Sequence, residues 1–131
     1  MMTTATLPLR VSRDVIAARE LVRRKAQEVG FGLANQTRLA AAVSEITRNA
    51  IVHGGGGEMT VDAEANNTRR VTVVIADRGP GIADIELAMT DGWSSAGSLG
   101  AGLPGARRLV HSFHIESRPG RGTTVTMGMT E

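Results

Sequence analysis

Apolar residues at positions 15, 18, 22, 26 and 29 succeed one another at steps of three and four, the interval that stacks side chains on one face of an α-helix. Ser12 in front of them reads as an N-cap and Gly30 behind them as a stop, which predicts a helix running to about Val29. A second stripe, Leu39, Val43, Ile46 and Ala50, predicts a helix from Asn35 as N-cap to Val52, ended by the glycines at 54–57. The period then changes to two. "EMTVDAEA" (58–65) and "RRVTVVIAD" (69–77) read as strands joined by the Asn-rich turn "NNT". "TLPLRV" (6–11) reads as an edge strand, because Pro8 lacks the N–H that a central strand needs. A short helix over about 83–89, a longer one over about 102–112 and strands at 113–118 and 123–129 complete the pattern. The predicted class is α+β: a two-layer α/β sandwich with a mixed or antiparallel sheet and helices on one face.

The chain's 131 residues fit one domain over 1–131, long enough to bury a core without staples. Aromatics make up only 2%, so that core has to be aliphatic. There is no cysteine, which excludes disulfides and thiolate metal sites and suits a reducing compartment. No signal-peptide pattern opens the chain and no apolar run approaches a membrane span, so a cytoplasmic protein without membrane contact is expected. Fourteen Arg and the single Lys25 leave a net charge of only +2, spread along the chain with few aromatics for stacking, which argues against direct nucleic-acid binding. Arg19, Arg23, Arg24 and Lys25 read as a solvated helix face, with an acidic docking partner as the other possibility.

"DGWSSAGSLGAGLPG" (91–105) carries five glycines, a composition that favours close approach of backbone amides to an anion such as phosphate. It is not a P-loop, since Lys25 lies elsewhere. "GAGLPG" matches G-x-G-x-x-G in letters, but no strand precedes it and no βαβ unit surrounds it. A plain surface loop is the competing reading. Two clusters bear on the choice. Glu45 and Asn49 stand at i and i+4 in "SEITRNA", where a carboxylate beside an amide oxygen suits a hydrated Mg²⁺ and a proton acceptor; a polar helix edge looks the same. Asp77 leaves a strand into "DRGPG", placed either to accept a hydrogen bond from an exocyclic amine or simply to turn the chain.

The series E-x-x-x-N on a helix, D-x-G-x-G after a strand, a glycine-rich lid over Gly97–Gly105 and "GRGT" (120–123) resembles the GHKL, or Bergerat-fold, ATP-binding domains. With nearly the whole chain matched, it is similar to the RsbW-type anti-sigma serine/threonine kinases, and within them to the RsbT-type switch kinases. The resemblance implies ATP and Mg²⁺ as cofactors and phosphorylation of serine or threonine on a STAS-domain antagonist. It also implies a PP2C-type phosphatase or a sigma factor as further partners. By the same resemblance Glu45 is the general base and Asn49 the Mg²⁺ ligand. Asp77 binds the adenine amine, with Gly79, Gly81 and Thr123 around it. Gly97, Gly100, Ala101, Gly102 and Leu103 hold the phosphates. A nucleotide-dependent anti-sigma factor or binding module acting mainly by complex formation is the alternative.

Other residues read less specifically. Arg48, Arg107 and Arg108 are candidates to offset transition-state charge, Arg48 the weakest because a helix wheel turns it away from Asn49. His53 follows the Asn box without an evident role. His111 and His114 read as surface histidines rather than metal ligands, Met127 and Met129 as core or partner surface, and Trp93 as a lid residue.

Overall fold

In the computed structural model, residues 2–82, 89 and 99–131 are described. Five strands and three helices follow in the order β1 (Met2–Leu9), α1 (Arg13–Glu28), α2 (Leu33–Val52), β2 (Gly57–Ala65), β3 (Arg69–Asp77), α3 (Leu99–Leu109), β4 (Ser112–Ser117) and β5 (Thr123–Thr130). The strands form one sheet in the order β1-β2-β3-β5-β4, and every neighbouring pair is antiparallel.

Strand alternation explains why this sheet has one covered face. Met59, Ile75 and Val125 stand in register across β2, β3 and β5; so do Val61, Val73 and Met127, and Ala63, Val71 and Met129. All nine are at most 2% exposed. Each large member contributes about 1.5–3 kcal/mol by leaving water. The helices cover this face with the predicted stripes: Val15, Ala18, Val22 and Ala26 from α1, and Leu39, Val43, Ile46 and Ala50 from α2. Met127 and Met129 are therefore core residues and line no partner surface.

Most element boundaries fall within a residue of expectation, and the larger departures have physical reasons. The first strand is β1 over Met2–Leu9 rather than 6–11: Thr3, Thr4 and Thr6 pair with β2 as readily as the aliphatics do. Pro8 is tolerated because β1 is an edge. Ser12 occupies the N-cap position of α1 in a helical conformation and makes no capping bond. Asp14 replaces it, its carboxylate accepting the N–H groups of Arg10 and Val11 at 2.8 and 3.0 Å. The stop at Gly30 holds, at φ +86°, with Phe31 N–H donating to Ala26 O and Gly30 N–H to Gln27 O.

Asn35 is not the N-cap of α2; Gly32 is. One backbone donor at this end, Gly32 N–H, is met from the far end of the chain. The Glu131 carboxylate accepts Gly32 N–H and Asn35 Nδ2–H, both at 2.9 Å. Lastly, α3 spans Leu99–Leu109, three residues ahead of the expected 102–112 at both ends, so Gly100 lies in its first turn and not in a loop. Arg38 ties its far end to α2, donating to the carbonyls of Arg108 and Leu109. The expected short helix over 83–89, Trp93 and Gly97 lie outside the described residues, Met89 apart.

Candidate functional site

A cleft of about 230 Å³ opens where the core of the sandwich reaches the surface. Ile46, Asn49, Ala50 and His53 line it from α2, Ile75 and Asp77 from β3, and Leu103 from α3. Thr123 and Val125 of β5, with Gly54, Pro80, Gly81 and Ile82, close it. Its walls are aliphatic and its polar groups few, the make-up of a site for a flat organic group.

Asp77 is fixed at the end of β3. Its Oδ1 accepts the backbone N–H of Gly79 at 2.9 Å and of Thr123 at 3.1 Å. Oδ2 carries no such bond among the described residues. Three turns meet around this carboxylate: Gly120 N–H donates to Pro80 O at 2.7 Å, and Arg78 N–H to Gly56 O. Gly54 has to be glycine, because a Cβ there would stand 2.6 Å from Asp77 Oδ2 and 2.7 Å from Ala50 O. Thr123 Oγ1 lies 2.7 Å from Ser117 Oγ, which also accepts Ile82 N–H. Ser117 thereby joins both sides of the pocket.

Asn49 is 9% exposed, and its Nδ2 is a buried donor with no partner among the described residues. An unmet buried amide is costly by about 1–3 kcal/mol, which marks the place as one that expects a ligand acceptor. Gly102 packs on it: a Cβ there would lie 2.9 Å from Asn49 Nδ2 and 3.3 Å from Glu45 Oε2. Glu45 is therefore beside Asn49 across Gly102, half-exposed, with its Oε1 3.2 Å from Arg48 Nη1. Arg48 meets Glu45, one turn back, and not Asn49.

Of the expected site residues, Asn49, Asp77, Gly81, Leu103 and Thr123 line the one cleft, with Gly79 bound to Asp77 and Glu45 and Gly102 adjoining Asn49. Gly100 and Ala101 lie in the first turn of α3, and Gly97 outside the described residues. The apolar lining, Ile46, Ala50, Ile75, Ile82 and Val125, was not anticipated, because the cleft continues the core and its walls carry the core's own periodicity. His53 is part of the lining as well. His111 accepts Thr130 N–H and His114 meets Glu116, so both are surface contacts. Among the described residues no three His, Asp or Glu form a metal cluster.

Residues 34–130 match the family described as histidine kinase-, DNA gyrase B- and HSP90-like ATPase. The chain is 43% identical over 113 residues to the serine/threonine-protein kinase RsbT of Bacillus subtilis, covering 86% of this chain and 85% of that one. It is 34% identical over 116 residues to an anti-sigma F factor of Clostridium acetobutylicum, covering 84% and 80%. Among solved structures, that of the RsbU and RsbW domains of Rv1364c from Mycobacterium tuberculosis matches with a TM-score of 0.64 at 23% identity. That match takes in 100% of this chain and 33% of the other, a likeness of fold.

Proposed function

This chain belongs to the histidine kinase-, DNA gyrase B- and HSP90-like ATPase family, and we propose that its cleft serves to phosphorylate serine or threonine on a STAS-domain antagonist protein. It is an RsbT-type serine/threonine kinase that uses ATP and works with regulatory partners. The observation that carries the site assignment is the meeting of Asn49 and Asp77 in one cleft, with Glu45 beside Asn49 across Gly102.

In this reading the adenine amine donates to Asp77 Oδ2, whose partner oxygen is already held by two amides, so the acceptor is pre-aimed. Ile46, Ala50, Ile75, Ile82 and Val125 enclose the ring, and Thr123 supports it. The phosphates run toward Asn49 and the first turn of α3, where the backbone amides that open a helix and the helix dipole favour negative charge. Asn49 offers a hard oxygen donor, which fits Mg²⁺ otherwise held by phosphates and water, and Glu45 beside it is left as the proton acceptor. When bound, that ion screens the charge of the phosphates. Glu45 takes the proton of the incoming hydroxyl as its oxygen bonds the γ-phosphorus and the bond to the β,γ-bridging oxygen breaks, releasing ADP. Positioning and electrostatics of this kind supply most of the catalysis in phosphoryl transfer.

The proposed setting is the cytoplasm, with residues 1–131 acting as one ATP-binding domain; no helix among the described residues is long and apolar enough to cross a membrane. A PP2C-type phosphatase is the proposed second partner. The similarity to an anti-sigma F factor favours a second reading, nucleotide-dependent capture of a sigma factor. Incubation with γ-labelled ATP, Mg²⁺ and the STAS proteins encoded beside the gene tests the choice. Label on a STAS serine or threonine supports the kinase reading; tight partner binding without label supports capture.

A further inference from the structure

We propose that Arg48 is a positioning residue for phosphoryl transfer, holding the Glu45 carboxylate with one oxygen turned toward Asn49 and Gly102. The inference rests on Glu45 being the general base. The two carboxylate oxygens have different surroundings. Oε1 meets Arg48 Nη1 at 3.2 Å, whereas Oε2 faces the α3 side, 3.3 Å from the place a Gly102 Cβ would take. That same place is 2.9 Å from Asn49 Nδ2, so Oε2 is the oxygen on the reacting side.

Glu45 has little else to fix it among the described residues. Its side chain is 40% exposed, and a free glutamate loses much rotamer freedom when pinned. Position 48 can act on position 45 because residues three apart share a helix flank, while residues 48 and 49 diverge by about 100°. The pair is half-exposed on both sides, and an ion pair of that kind biases a rotamer population only by a factor of about two to five. The effect on turnover is bounded accordingly. Arg48 contacts neither nucleotide nor the reacting atoms in this account; it raises the fraction of molecules whose base is aimed.

The test compares Arg48→Gln and Arg48→Lys, each also in a Glu45→Gln background. Four quantities are read on the full chain: label transfer to a STAS partner, ATP hydrolysis by the chain alone in single turnover, MgATP affinity by calorimetry, and Tm. Arg48→Gln should lower kcat for hydrolysis and transfer about two- to fivefold, with MgATP affinity and Tm unchanged. Arg48→Lys should recover at least half of that loss, and in the Glu45→Gln background Arg48→Gln should add nothing. An unchanged kcat in Arg48→Gln overturns the proposal, as does an equal loss when Glu45 is already Gln. A loss of about a hundredfold with weakened MgATP binding also overturns it, since that is the mark of direct phosphate contact. If the wild type hydrolyses ATP yet labels no STAS protein, the substrate assignment fails and the hydrolysis arm still decides on Arg48. If Glu45→Gln leaves turnover intact, the general-base assignment fails and this inference with it.

Discussion

The backbone N–H of Thr123 donates to Asp77 Oδ1 at 3.1 Å across 46 positions of chain. With the Gly79 amide at 2.9 Å, it pins one oxygen of the carboxylate, and the other, without such a bond among the described residues, is the proposed adenine acceptor. Both the end of β3 and the start of β5 are needed to build that acceptor, and adjacency of the two strands in the sheet supplies them.

Asp77→Asn separates the two oxygens' tasks. The amide oxygen can still accept both backbone donors, but an NH₂ then replaces Oδ2 and faces the base's own amine. MgATP affinity is expected to fall about 30- to 100-fold, corresponding to about 2–3 kcal/mol, with Tm within a few degrees of wild type. Calorimetry paired with a thermal melt checks both.

Glu45→Ala acts elsewhere. Nucleotide affinity stays within about twofold, because the carboxylate lies outside the apolar enclosure of the ring. Phosphoryl transfer drops by about a hundred- to ten-thousandfold, the range for loss of a general base. Equal loss of affinity in this variant and in Asp77→Asn would undo the division of labour.

Gly102→Ala sets two effects against each other. Alanine favours the helix by about 0.5–1 kcal/mol over glycine, while its methyl would stand 2.9 Å from Asn49 Nδ2. Stability should change little, and transfer should fall at least tenfold because Asn49 and Glu45 are pushed off line. A melt and a transfer assay on the same preparation distinguish this from simple unfolding.

The Glu131 carboxylate is held below the ordinary glutamate range, first by the Asn35 side chain and then by the Gly32 amide. A depressed acid stabilises the fold above its unfolded pKa, and that contribution is lost as pH falls through the lower folded value. The Tm advantage of wild type over Glu131→Gln should therefore be full at neutral pH and vanish in acid. Thermal melts of both proteins across that window measure it; a pH-independent difference would point to packing instead.

Much of this architecture was legible because local pattern and tertiary role agree. The spacing of Val15, Ala18, Val22 and Ala26 and the alternation in β3 report burial directly, and burial is what the sheet and helices share. Glu45, Asn49 and Asp77 could be singled out because each polar residue borders an apolar stripe, and their proposed roles came from the family resemblance. Where a long-range partner decides, the pattern is silent. Asn35 looks like a cap until Glu131 arrives from the other end of the chain, and Asp14 displaces Ser12 by reaching back to two amides. Gly100 and Gly102 argue locally against helix, yet α2 offers a flank on which only a glycine-bearing helix can lie so close. The aliphatic walls of the cleft were indistinguishable from core because, up to the opening, they are core.

A structure of the chain with a non-hydrolysable ATP analogue and Mg²⁺ tests the central claim most directly. It should place the adenine amine within hydrogen-bond distance of Asp77 Oδ2, and the γ-phosphate on the side of Asn49 to which Glu45 Oε2 is turned. A base bound away from Asp77, or a γ-phosphate directed away from Glu45, would contradict it.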